Sequence, residues 1–281
     1  MSGFSYSGTI VSFLTRHGKE KAVSPVLEAK LGCRIHHTDA YDTDLLGTFN
    51  RDLKRVGSQI EAARSKARIG MQLTGLKHGI ASEGAFGPDP FAGLFQWNVE
   101  MLVLIDEENG LELTGIAQRP AKFDHHSCRS WAEAEAFAVR AGFPDHHLVV
   151  RPGHQDDGRI AKGISDWDAF ESCFDKALRD SGNGIVFIEN DLRAHANPER
   201  METIRLAADD LCRKMLSLCP ACGTPGFWLA ERVKGLPCAD CGLPTRRAKA
   251  EIWKCPGCSH HEQRKLNPDS ADPQHCDRCN P

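Results

Sequence analysis

Eight of the twelve cysteines fall into four C-x2-C pairs near the end of the chain: Cys219/Cys222, Cys238/Cys241, Cys255/Cys258 and Cys276/Cys279. A C-x2-C turn offers two thiolates to one tetrahedral ion, and a second such turn completes the coordination. Four turns predict two Zn2+ sites. Each is saturated by four thiolates, which leaves no open position for catalysis and makes the ions structural. Spacing leaves three partnerships open: neighbours in order, first with third, or outer with inner. Sequential pairing leads, because "CPACGTPGFWLAERVKGLPCADCG" reads as knuckle, strand, turn, knuckle. However, "CADCGLPTRRAKAEIWKCPGC" has the same form and would leave Cys219/Cys222 to meet Cys276/Cys279. His260, His261 and His275 stand nearby as substitute ligands that eight thiolates do not require. The competing use of the cysteines is a disulfide framework. The opening MSGFSYSGTI shows no charged segment followed by an apolar one, so a reducing cytoplasmic compartment is expected.

Upstream, four polar clusters have the residue types for chemistry on an anion. Thr15-Arg16-His17-Gly18-Lys19 is a cationic turn between a strand and a helix, suited to gripping phosphate through side chains and backbone N–H groups; the plain alternative is an exposed cationic turn. Gln59, Glu61, Arg64, Ser65 and Lys66 lie on the polar side of a helix, where surface pairing is the simpler use. Ser82-Glu83-Gly84 ends an apolar strand with an acid that could reach a metal or cap a loop. Glu189 to Asn197, with Arg193, His195 and, beyond them, Arg200, packs acids, arginines and a histidine into a strand-to-helix turn. Solvation alone explains that density poorly.

The elements that must position these groups follow from periodicity. Residues 8–15 read as a strand, a helix follows to Gly32, and "CRIHHT" as a second strand. "YDTDLLGTFNRDLKR" reads as an acidic-to-basic loop, and Ser58–Leu73 as a helix with Ile60, Ala63, Ala67 and Met71 on one face. A strand over "KHGIASEG", a hairpin turning at Asn109-Gly110, and a helix capped by Ser130 come next. Strands over "HHLVVRP", "RIAKGI" and "GIVFIEND" enclose a helix from Asp166 to Arg179, and Pro198 opens the last helix, to about Leu216. Alternating strands and helices predict an α/β body with a layered mixed sheet and flanking helices over 1–217. A small zinc-ribbon-like domain then occupies 218–281.

Composition narrows the partners. The chain has 281 residues, 26% charged and 41% apolar, and no apolar run of about eighteen residues that could span a membrane. Its net charge is −3. From Cys219 onward nine Lys/Arg face seven Asp/Glu. Eight thiolates with two Zn2+ bring that segment to about −2, which argues against general nucleic-acid binding. Cys33, Cys128, Cys173 and Cys212 read as small core residues. His36-His37, His125-His126 and His146-His147 are sequence neighbours whose rings a strand would point to opposite faces.

Thr15–Glu20, "GSQIEAARSKA" over Gly57–Ala67, "ASEGAFGP" over Ala81–Pro88, "RAHANPERM" over Arg193–Met201 and the four C-x2-C pairs together resemble a bacterial family with an α/β body and a cysteine-rich tail. That resemblance covers nearly the whole chain and names no reaction. The body also resembles the inosine/xanthosine triphosphate pyrophosphatase superfamily, which uses Mg2+ to hydrolyse unusual purine nucleoside triphosphates to the monophosphate. Lys19 falls at the place of that superfamily's phosphate-binding lysine. Glu61-Ala62-Ala63-Arg64-Ser65-Lys66-Ala67 resembles its E-x-A-x-x-K-A helix, and Glu83 before Gly84 its strand-end acid. The chain departs from the pattern at His17, where an Asn is expected, at the paired aspartates, reduced to Glu83, and at the terminal Ser-His-Arg motif, echoed by Arg193 and His195. The resemblance implies that Glu61 and Glu83 hold Mg2+ and that Lys66 faces phosphate. Thr15, Arg16, His17 and Lys19 would bind the triphosphate, and Arg193, His195 and Arg200 the rest of a nucleotide or other phosphorylated small molecule.

A non-enzymatic alternative makes the body a binding module and the zinc region an adaptor for a protein or nucleic acid. Phe227, Trp228, Trp253, Arg246 and Arg247 would supply its stacking and phosphate contacts. Packing is the simpler use of those aromatics.

Overall fold

In a computed structural model that describes residues 4–41, 58–266 and 268–281, the first apolar run, Ile10–Leu14, is strand β1. The loop expected over 41–55 lies outside the described residues from position 42 onward. Helix α1 (Glu20–Leu31) follows β1 and ends at Gly32, whose φ of 68° is the left-handed cap a glycine adopts without strain. Strand β2 (Arg34–Thr38), helix α2 (Gln59–Thr74) and strands β3 (His78–Pro88), β4 (Gln96–Asp106) and β5 (Leu111–Pro120) complete the first sheet. Its order is β2-β1-β3-β4-β5. β1 runs parallel to both β2 and β3, and β3, β4 and β5 form an antiparallel meander.

The expected single mixed sheet is in fact two. Strands β6 (His125–Cys128), β7 (Leu148–Pro152), β8 (Ala161–Ile164) and β9 (Val186–Asn190) make a separate antiparallel sheet in the order β6-β9-β7-β8. The reason is legible in β6. It is an edge strand whose first three residues, His125-His126-Ser127, are exposed, so it carries no apolar alternation to mark it. Helices α3 (Trp131–Ala141) and α4 (Trp167–Asp180) cover this sheet through Phe137, Phe170 and Phe174, all essentially inaccessible to solvent. Each buried phenyl contributes about 1.5–3 kcal/mol.

Helix α2 begins with a capping box in which Ser58 and Glu61 exchange hydrogen bonds. Its small-residue face forms as the periodicity predicts: Ala63, Ala67 and Met71 pack on Ala81, Val103 and Ile105, with Ile60 at the edge. The approach is close enough that a Cβ on Gly79 would overlap the Met71 side chain. On the other side of the sheet, a Cβ on Gly115 of β5 would overlap the backbone of helix α5 (Pro198–Leu216) at Ala207. Gly115 sits opposite Leu102, which pairs with Ser82. Hence Ser82, Gly84 and Glu100 face α5, and Ala81 and Glu83 face α2.

The chain divides into two compact units, Ser7–Leu211 and the segment Cys212–Pro281 together with the N-terminal residues to Tyr6. In the second unit, β10 (Trp228–Lys234), β11 (Ala248–Lys254) and β12 (His261–Lys265) form an antiparallel three-stranded sheet. Among the described residues, no helix is long and apolar enough to cross a membrane.

Candidate functional site

The eight paired cysteines gather into two groups. Cys219, Cys222, Cys255 and Cys258 form one, Cys238, Cys241, Cys276 and Cys279 the other, with the ligand atoms of each group within 4.8 Å of one another. The pairing is first with third and second with fourth, which corrects the expected sequential order. Strand geometry imposes this. Trp228 at the start of β10 lies opposite Lys254 at the end of β11, so the knuckle before β10 meets the knuckle after β11. Seven residues of β10 separate the first knuckle from the second by roughly 20 Å at strand rise.

The sulfur separations fit one ion per group. Cys219–Cys258 and Cys222–Cys255 are 3.8 and 3.6 Å apart, and Cys238–Cys279 and Cys241–Cys276 are 3.9 and 3.6 Å. A tetrahedron with Zn–S bonds of about 2.3 Å has edges of about 3.8 Å. Two four-cysteine sites that can hold metal ions such as zinc are therefore present. Left-handed glycines, Gly223 and Gly242, close the first two knuckles by donating to the carbonyls of Cys219 and Cys238. Gly257 in the third has Thr224 so near that a Cβ would lie 2.7 Å from its hydroxyl. His260 pairs with Glu262 at 3.5 Å and supplies no ligand. Phe227 is buried against Cys219 and Cys255, and the Arg264 guanidinium lies 4.0 Å over Trp253, so these aromatics are occupied in packing.

In the Ser7–Leu211 unit a second group of functional side chains assembles at one end of the first sheet. Lys19 is buried, and its ammonium donates to the Ser82 carbonyl at 3.0 Å and lies 3.4 Å from the Ser82 hydroxyl. Lys66 reaches from α2 into an ion pair with the buried Glu83 carboxylate. From the α5 side, Arg200 pairs with Glu100 at 2.8 Å, and both are buried. Asn98 also donates to Glu100, at 3.0 Å, and the second Glu100 oxygen is buried with no hydrogen-bond partner among the described residues. Gly84 makes room for this carboxylate, since a Cβ there would overlap it and force the Glu100 side chain to shift. Burial, together with the Arg200 guanidinium, lowers the Lys19 ammonium to about 8, while Glu100 and Glu83 pull it back up.

The turn before α1 meets the Asp191–Asn197 segment. The His17 and His195 rings stack at 5.4 Å, with His147 edge-on to His195 at 6.3 Å. Burial lowers the His195 imidazole, and the nearby Arg193 and His17 lower it further. Burial alone would raise the Asp191 carboxyl, but its bonds to Arg193 hold it below the usual carboxylate range.

The predicted residues thus divide. Lys19, Lys66, Glu83 and Arg200 lie around the Ser82–Gly84 stretch of β3, with the Lys66–Glu83 pair on the α2 face of the sheet and the Arg200–Glu100 pair on the α5 face, and His17, Arg193 and His195 form the neighbouring group. Buried Thr15 and exposed Arg16 lie on the turn between β1 and α1 that carries Lys19. Glu61 does other work: its carboxylate accepts from the Ser58 amide at 2.7 Å and hydroxyl at 2.9 Å, and these bonds lower its pKa. Glu61 and Glu83 therefore do not fit as a Mg2+ pair, since one is spent on the cap and the other on Lys66. Among the described residues, no cluster of three or more acids, histidines or cysteines suits an ion besides the two four-cysteine groups. Glu100 and Asn98 escaped sequence reasoning. An acid inside the apolar run of β4 was the available signal.

No curated protein matches the chain. A family model described as Domain of unknown function (DUF6671) matches residues 66–281, a span that holds Lys66, Glu83, Glu100, Arg200 and all eight paired cysteines, and lends nothing to the pyrophosphatase resemblance. The chain belongs to that family.

Proposed function

We propose that the Ser7–Leu211 unit binds a phosphorylated small molecule at the sheet end around Lys19 and hydrolyses it, with purine nucleoside triphosphates as the first candidates. The observation that carries this reading is the charge count of the group. Among the described residues, three cations, Lys19, Lys66 and Arg200, stand against two carboxylates, Glu83 and Glu100, largely out of water. Burying an excess cation costs several kcal/mol unless an anion answers it, and a phosphate group is such an anion. Lys19 follows a strand and precedes the first turn of α1, where backbone N–H groups also favour negative charge. The second Glu100 oxygen, without a hydrogen-bond partner among the described residues, would accept the proton of an attacking water.

The test is thermal stabilisation of the full chain by inosine, xanthosine, guanosine and adenosine triphosphates, each with Mg2+ and with a chelator, beside an assay for released pyrophosphate or phosphate. A triphosphate at about a hundred times its Kd stabilises by about 2.7 kcal/mol, which is several degrees in Tm. Lys66→Met abolishes the shift. Affinity falls as pH rises through about 8, because Lys19 must keep its proton to answer the anion. Absence of stabilisation by every triphosphate and by pyrophosphate at millimolar concentration would refute the reading.

A further inference from the structure

Apart from the charged group, the Ser7–Leu211 unit carries a cleft of about 760 Å3 between the turn joining β3 to β4, the segment after β5 and the end of α3. Its walls are aromatic: Phe95, Trp97 and Phe123 line it beside Leu94. Leu94 is 78% and Phe95 67% exposed, although such side chains normally withdraw from water.

The backbone holds them out. The Asp89 carboxylate accepts hydrogen bonds from the amides of Phe91, Ala92, Leu94 and Phe95, at 3.0, 2.8, 2.7 and 2.8 Å. Those bonds, led by Ala92 and Phe95, keep the Asp89 carboxyl far below the usual range, so it stays ionised and available to accept them across ordinary pH. The rings behind are braced as well. Phe123 stands edge-on to Phe86 at 5.4 Å, and the Trp97 indole N–H donates to Gln118 at 3.4 Å.

Charge at the cleft has one prevailing sign. Lys122 and Arg140 are exposed cations that line it. One acid, Asp124, which accepts from the His125 amide at 2.8 Å, stands against these two cations in the described lining, and Arg140 donates to the Ala136 carbonyl at 3.1 Å. A cleft of this size, walled by preformed aromatic surface and edged by a few polar groups, has the composition of a small-molecule site. Its walls suit a flat ring, which would stack offset or edge-on, and its cations suit a carboxylate, sulfonate or phosphate on that ring.

We infer that this cleft binds a small planar aromatic anion. None of its residues belongs to the group around Lys19, so the site stands or falls independently of the phosphate reading.

The experiment is titration of the full chain with 1-naphthoate, followed by calorimetry and ligand-observed NMR, with 1-naphthylmethylammonium as the cation of matching shape. Naphthoate binds, and the ammonium binds at least about tenfold more weakly, a difference of about 1.4 kcal/mol. The double variant Lys122→Glu, Arg140→Glu stays folded, with a Tm lowered by a few degrees because Arg140 donates to the Ala136 carbonyl in the last turn of α3, and reverses the preference. Trp97→Ala weakens both probes. No binding of naphthoate, equal binding of the two probes by the native chain, or an unchanged naphthoate Kd in the charge-reversed variant each overturns the inference.

Discussion

The two units organise charge by opposite means. In the cysteine-bearing unit, eight sulfurs supply both the chemistry and the scaffold, since the described buried core around the first group is only Cys219, Phe227 and Cys255 with Trp253 against it. In the Ser7–Leu211 unit the scaffold comes first. Two sheets and their helices are held by apolar packing, and the charged residues are buried within that frame, drawn from β3, β4, α2, α5 and the turn before α1. A unit built by its ligands should fail when they are removed. A unit built by its core should survive loss of a charged residue, and in places gain from it.

The largest effect tests the first half of that contrast. Structural Zn2+ in small domains supplies about 10–16 kcal/mol of folding free energy. Chelation, or Cys255→Ser, therefore unfolds the cysteine-bearing unit while the other retains its helical circular dichroism. Interleaving adds a sharper expectation. The chain crosses between the two groups at each of β10, β11 and the segment through β12, so losing the first ion also loosens the second. Cadmium-113 NMR of Cys255→Ser should show both sites perturbed; an intact second resonance would mean that the sites are independent.

Next in size is the Arg200–Glu100 pair. Removing one partner of a buried ion pair costs about 3–5 kcal/mol, because the other charge is left unanswered. Arg200→Met should lower stability by that amount in urea titration. Replacing both members with Met and Gln should recover much of it. A single variant as stable as the native chain would show that the pair is not desolvated.

Lys19 moves stability the other way. Its folded pKa of about 8 lies below the unfolded 10.5, so the unfolded chain binds more protons between those values and stability rises with pH across that window. The charged form is disfavoured in the fold. Lys19→Met should therefore stabilise by about 1–3 kcal/mol while removing the response to triphosphates. A destabilised Lys19→Met would make the lysine a structural member of the core rather than a retained binding group.

How much of this was legible beforehand follows the same contrast. The eight ligands are local pairs in sequence, and their identity could be read directly; their partnership could not, because it depends on which strand ends meet across the β10–β11 register. The α2 face was legible from its small residues, and β6 was not, since an exposed edge strand needs no apolar pattern. Lys19, Lys66, Glu83 and Arg200 were recognisable as polar residues at strand and helix ends. Glu100 was hidden inside an apolar strand, and only the Gly84 gap opposite it reveals why an acid fits there.

Glu61 provides the smallest test and the most specific. Its sequence context supports two jobs, metal ligand or helix cap, and the two carry different signatures. As a cap it needs an acceptor that reaches the Ser58 amide, and glutamine serves the capping box about as well as glutamate. Glu61→Gln should then leave Tm and triphosphate stabilisation nearly unchanged with and without Mg2+, whereas Ser58→Ala, which removes the side chain that accepts from the Glu61 amide at 3.4 Å, costs about 1 kcal/mol. A metal ligand behaves in the reverse order: Glu61→Gln would remove the Mg2+ dependence of binding, and Ser58→Ala would leave it intact. Measuring both variants in both conditions separates a residue that holds the fold from one that holds the ion.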